Sequence, residues 1–176
     1  ILIAFIISAI VGVSIGLVLG HYKVINESTD SLIDFMRSIP GIALFPLFIL
    51  LFGVGDISRL LVAIFIATPI ILISTKYGVI NASKLRKKMS KLYKLKKSKM
   101  FYKVIIPEAS PYIFTGLKVA ISFTIIAIIV TEMMLGTNYG LGQLLVLSQY
   151  QFETPTMYAI IILLGIIGFI LNIGLN

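Results

Sequence analysis

The chain has 176 residues, of which 59% are hydrophobic and only 12% charged, and its mean hydropathy is +1.07. A water-soluble domain carries about a quarter charged residues and still turns much of its area to water, so a soluble fold cannot hide this apolar surface and the solvent must be lipid. Fifteen Lys and Arg against seven Asp and Glu give a net charge of +8, and the absence of Cys excludes disulfides, thiolate metal sites and cysteine nucleophiles.

Ile1 to Gly20 is an apolar run interrupted only by Ser8, Ser14 and glycines, and about 20 such residues cross the hydrocarbon core as a helix. The run is longer than a signal-peptide core and no basic residue precedes it, so a spanning helix is the reading. Because the chain opens on Ile1 in mid-run, an N-terminally truncated chain is expected. Ser8, Gly12, Gly16 and Gly20 recur every four residues on one face, a spacing that lets helix backbones approach closely in lipid. Residues 21–38, from His21 through Arg37, read as a polar connection. The second apolar stretch, Ile39 to Val54, is short and carries Pro40 and Pro46, so it starts earlier or bends. Gly53-Val54-Gly55-Asp56 reads as a turn. The third stretch, Leu60 to Thr75, has Pro69 in its middle, where freed backbone groups need protein or a water-lined cavity to satisfy them.

The segment Lys84 to Lys103 holds ten of the fifteen basic residues and no acid. Leu85, Met89, Leu92 and Tyr93 fall at helical spacing, which predicts an amphipathic helix. Apolar character resumes from Pro111 to Leu135, with Lys118 near its start and Glu132 near its end. The connection 136–156 has no Lys or Arg, and its middle, Leu141 to Gln149, reads as a short interfacial helix. A last span runs from Met157 to Leu175. The predicted fold class is all-α, a polytopic transmembrane helix bundle with five spans here and six in the full protein. The positive-inside rule places 21–38 and 84–103 in the cytoplasm and 53–59 and 136–156 outside. The basic segment has three readings: a lipid-facing topogenic loop, a docking helix for a soluble partner, and a nucleic-acid site. The last is set aside because the segment is short and tethered to a membrane.

Four stretches carry a family resemblance. Val104-Ile105-Ile106-Pro107-Glu108-Ala109-Ser110-Pro111, continuing to Lys118, resembles the end of the "EAA" cytoplasmic loop and the next helix of ABC importer permeases. The likeness is nearest to the nitrate/sulfonate/taurine and thiamine-precursor group. Arg37-Ser38-Ile39-Pro40-Gly41 through Phe48, then Phe52-Gly53-Val54-Gly55, then Glu132 to Gly136 with Gly140-Leu141-Gly142, resemble the same group in the same order. The resemblance implies a single transmembrane permease domain over 1–176, with a cytoplasmic coupling loop at 84–107. It implies a multi-pass protein of a prokaryotic inner (plasma) membrane that moves a small polar or anionic solute inward by alternating access. The implied partners are ABC ATPase subunits, a second permease copy, an extracytoplasmic solute-binding protein and membrane lipids, with no nucleic acid. Within residues 88–98, Lys88, Met89, Lys91, Leu92, Tyr93, Lys94, Leu95 and Ser98 would contact the ATPase. No phosphate-cradling Walker loop occurs here, so ATP and Mg are expected on the partner subunit and no cofactor on this chain. The sequence also departs from the pattern. The Glu-Ala-Ala positions fall on Lys88, Met89 and Ser90, and the glycine position on Lys94, so the turn is expected near Lys97-Ser98 with Ser98 as a helix N-cap.

Thr68 and Pro69, with Ser122 and Thr124, are candidates to line a translocation path, although hydroxyls in membrane helices also bond to their own backbone. Glu132 is the acid within the membrane-depth pattern; it reads as a gate, as a helix-to-helix hydrogen bond, or as a group reaching the headgroups. Lys118 is read as snorkelling to the cytoplasmic face, and His21, without a second His or any Cys, as an interface residue. Tyr139, Tyr150, Phe152 and Tyr158 suit an interfacial aromatic belt. No triad, zinc site or paired carboxylates emerge, so the chain is not read as an enzyme. Two alternatives to the importer stay open, an ion-gradient-driven secondary transporter and a degenerate, non-transporting scaffold.

Overall fold

A computed structural model describes residues 1–82, 97–135 and 139–175, and every regular element among them is helical. Helix α1 (Leu2–His21) is followed by α2 (Lys23–Ser38), a 3-10 turn (Gly41–Leu44), α3 (Phe45–Phe52) and α4 (Asp56–Asn81). A helical turn at Lys97–Met100 and a π turn at Phe101–Ile105 lead into α5 (Ile106–Leu135). The short α6 (Leu141–Tyr150) and the long α7 (Thr154–Ile173) complete the chain.

Helix α4 is the centre of the bundle, with α1 along one side and α5 along another. The small-residue stripe of α1 explains the first contact. A Cβ placed on Gly12 would meet Ile71 at 2.8 Å, one on Gly16 the Leu72 carbonyl at 2.6 Å, and one on Gly20 Val79 at 2.6 Å. As α1 residue numbers rise, so do those of α4, so the two helices run parallel. Gly116 of α5 meets Ser74, and Gly78 of α4 meets Tyr112 and Ala109, so α4 and α5 run antiparallel. Ala4, Phe45, Val62, Ala63 and Ala127 pack together toward the Asp56 end; Val79, Ala82, Ile105 and Ala109 do so toward the other.

Parallel packing of α1 on α4 has a topological consequence. The chain leaves α1 at His21 beside Val79 and must reach Asp56 at the far end of α4, so residues 22–55 carry it back across the bundle. Four helices are long and apolar enough to span a membrane, and Ser28–Ser38 with Gly41–Phe52, bent by 78°, makes the fifth as one broken span. The second span thus starts earlier than its apolar stretch and also bends, the two options its shortness left open. Ser28–Ser38, part of the expected polar connection 21–38, is helical and forms its first half. The break has a local cause. Pro40 disfavours the α region for the residue before it, and Ile39 is extended at φ −77, ψ 122. Pro46 falls in the first turn of α3, where its missing N–H costs nothing. Gly53 ends α3 at φ 81, a conformation that glycine adopts without strain. Ser58 then donates to the Phe48 and Gly53 carbonyls at 3.1 and 2.6 Å, tying the end of α3 to the start of α4.

Helix α7 is different, for Ile160 is its one buried residue among those described. Its exposed Ile, Leu and Phe suit lipid or another chain.

Gly16→Val is expected to destabilise the purified protein by roughly 1–3 kcal/mol, because the added atoms meet α4 backbone that cannot yield. Gly165→Val in α7, where nothing lies within 4 Å, is the control and should leave the thermal unfolding midpoint in detergent nearly unchanged.

Candidate translocation site

Three cationic side chains of the spans, Arg59, Lys76 and Arg37, each lie beside a carboxylate. Near the Asp56 end the Arg59 guanidinium is buried, donates to Asp56, lies 3.7 Å from Glu132 and stacks over the Tyr139 ring at 5.6 Å. Glu132 in turn accepts the Gly142 backbone N–H at 3.0 Å. Gly140 (φ 122) approaches so closely that a Cβ there would lie 2.6 Å from the carboxylate. The group thus pins α4, α5 and α6 together. Because Arg59 is buried and Glu132 largely so, removing Arg59 would leave the Glu132 charge uncompensated.

At the opposite end Lys76 of α4 is buried and donates to Asp30 of α2. One turn further along α2, Asp34 lies 3.7 Å from Arg37. Asp30, Ile33, Asp34, Arg37, Lys76 and Tyr77 line a polar pocket of about 150 Å³. Arg37 also lines a second, larger cavity of about 480 Å³, whose walls include Met36, Pro40, Phe65, Pro69 and Phe123. This cavity lies where α2 breaks from the 3-10 turn and beside Pro69, which lacks an N–H within the continuous helix α4. Position 69 is midway along Asp56–Asn81, so the cavity is at mid-depth. A discontinuous helix beside a mid-depth cavity is a common feature of transport sites.

Of the residues singled out from sequence, Pro69 is buried and lines the mid-depth cavity, whereas the Thr68 hydroxyl is buried with no hydrogen-bond partner among the described residues. Thr124 is buried and donates to the Ala120 carbonyl at 2.8 Å. Ser122 is exposed on the α7 side, beside Gly168 and Asn172, and donates to the Lys118 carbonyl at 3.3 Å. Glu132 stands apart from all four in the outer cluster. Lys88, Met89, Lys91, Leu92, Tyr93, Lys94 and Leu95 lie outside the described residues, and Ser98 falls in the short Lys97–Met100 turn. Sequence reasoning missed Asp30, Asp34, Arg37, Lys76 and Arg59 as interacting groups. The signal was present in part, since Asp30, Asp34 and Arg37 recur at helical spacing on one face. Among the described residues no cluster of His, Asp and Glu could hold a metal ion.

A broken span and long apolar helices around a mid-depth cavity define a multi-pass membrane protein. The chain belongs to the family described as binding-protein-dependent transport system inner membrane component, which it matches over residues 9–176. It is 31% identical to an ABC transporter permease protein of Methanocaldococcus jannaschii, over 98% of this chain and 64% of that relative. It is 31% identical to a bicarbonate transport system permease protein of Synechococcus elongatus, over 96% of this chain and 60% of the relative. A nitrate import permease protein of Synechocystis is 28% identical over 97% of this chain and 62% of its own length. The chain thus spans about three fifths of the length of the relatives it matches.

Arg59→Met is expected to destabilise the protein by roughly 3 kcal/mol, since it strands the largely buried Glu132 carboxylate. Glu132→Gln, which can still accept the Gly142 N–H and leaves Arg59 on Asp56, should cost clearly less. The double variant should lose clearly less than the sum, because both substitutions break one contact. Thermal unfolding of the four proteins in detergent checks this.

Proposed function

We propose that this chain forms the membrane-channel part of an ATP-driven importer that carries a small anion inward by alternating access. The observation that carries the reading is the family match along nearly the whole chain, on a bundle whose broken span borders a mid-depth cavity. The anion follows from the printed functions of two relatives, bicarbonate and nitrate import, and from the cationic Arg37 on the cavity wall. In this reading residues 1–176 act as one permease domain of a prokaryotic inner membrane, and a second copy completes the path. A solute-binding protein delivers from outside, and separate ATPase subunits bind ATP and Mg and grip the 84–107 loop on the cytoplasmic side. A short amphipathic helix there would pass on ATPase closure as a lever, with Leu92, Tyr93 and Leu95 in the partner's groove.

An ion-gradient-driven carrier is favoured by one observation, an acid, Asp34, about one turn before the break in the second span. Uptake that collapses with an uncoupler and ignores vanadate would support it over the importer.

The test is affinity purification of the full-length protein from native membranes in mild detergent. An ATPase subunit is expected at near one-to-one stoichiometry and should be lost when Leu92, Tyr93 and Leu95 are replaced by Glu. A folded, abundant protein that brings down no ATPase would contradict the reading.

A further inference from the structure

Among the described residues Arg37 is the one charged side chain lining the mid-depth cavity, and it also lines the polar pocket beside Lys76. It therefore stands at the boundary between the two spaces. Its guanidinium is not locked away. The side chain is 56% exposed, and its carboxylate partner, Asp34, is 75% exposed at 3.7 Å, longer than a hydrogen-bonded pair. Lys76 is by contrast buried and held directly by Asp30. The two cations thus differ in how firmly each is neutralised, loosely at mid-depth and tightly at the inner end.

We propose that Arg37 is the residue that selects a negatively charged solute, with Asp34 as its resting counter-ion. The inference rests on the importer reading and adds to it the residue that reads charge. A cation at this depth is costly unless paired, so Asp34 keeps Arg37 neutralised while the cavity is empty. An entering anion with two acceptor oxygens matches the planar donor fork of the guanidinium better than Asp34 does at its present distance, and displaces it. Asp34 is thereby freed on the same helix face as Asp30, one turn away. The walls are otherwise apolar, with Met36, Phe65 and Phe123 offering no competing donor, so charge recognition falls on this one side chain. The adjacent break at Ile39-Pro40 lets the arm bearing Arg37 move relative to α3.

The test uses the purified full-length protein and reads the concentration of nitrate, bicarbonate or benzenesulfonate that half-saturates its thermal stabilisation, with chloride as the background anion. For whichever probe binds most tightly, Arg37→Gln should raise that concentration roughly tenfold or more, the loss of one charge-assisted contact. Arg37→Lys should retain most of the binding, whereas Asp34→Asn should lower the concentration by removing the competitor. The two variants break the same ion pair, so a contact serving only the fold would shift both in the same direction; that outcome overturns the proposal. A wild-type protein that no probe stabilises beyond chloride also overturns it. Anion binding in this assay needs no ATPase, so its failure is separable from failure of the importer reading, which is judged by co-purification.

Discussion

The backbone-to-backbone approach of α1 and α4 is the contact on which the rest of the bundle depends. Gly12, Gly16 and Gly20 leave no room for a side chain against Ile71, Leu72 and Val79, and in lipid such close packing replaces the hydrophobic drive that water would supply. The contact fixes register and direction together. Once α1 and α4 are parallel, the intervening residues have to recross the bundle, and the span they form cannot be a straight apolar helix because Pro40 breaks it. The mid-depth cavity follows from that break and from Pro69 opposite it.

Charge placement obeys the same economy. Buried cations in lipid survive when a carboxylate or a backbone group meets them. Arg59 is met by Asp56 and Glu132, which anchors α6 through the Gly142 N–H, and Lys76 is met by Asp30. These two pairs lie at opposite ends of α4 and act as ties, the one near Asp56 among α4, α5 and α6, the one near Asn81 between α4 and α2. Between them the pair of Arg37 and Asp34 is the most exposed of the three, which is why the proposed solute site falls in the middle of the bundle rather than at either end.

Much of the fold was legible in the residues. The apolar runs gave the spans, the Ser8-Gly12-Gly16-Gly20 stripe gave the face on which α1 packs, and Leu141–Gln149 gave the short helix. What hydropathy could not reveal was α2. Asp30, Asp34 and Arg37 make residues 21–38 look like a solvated loop, because an averaged hydropathy counts charges without knowing that an opposite charge waits on another helix. Lys76 was hidden for the same reason, one residue past the end of the apolar run, and Arg59 looked like a loop charge. For the site, Pro69 was found as a helix breaker. Thr124 and Ser122 both bond to carbonyls of their own helix, a choice that local sequence leaves open. Glu132 could be flagged as an intramembrane acid, but its partners Arg59 and Gly142 are non-local and no spacing rule names them.

The most direct test of this architecture is sidedness. The 176 residues contain no Cys, so single cysteines at positions 22, 54, 81 and 151 of the full-length protein, with any cysteine elsewhere replaced, can be probed with a membrane-impermeant thiol reagent in sealed vesicles of known orientation. Parallel packing of α1 on α4 predicts that positions 22 and 81 label from one side and 54 and 151 from the other. Labelling of 22 and 81 from opposite sides would contradict the parallel pair, and with it the broken span and the mid-depth cavity that depend on it.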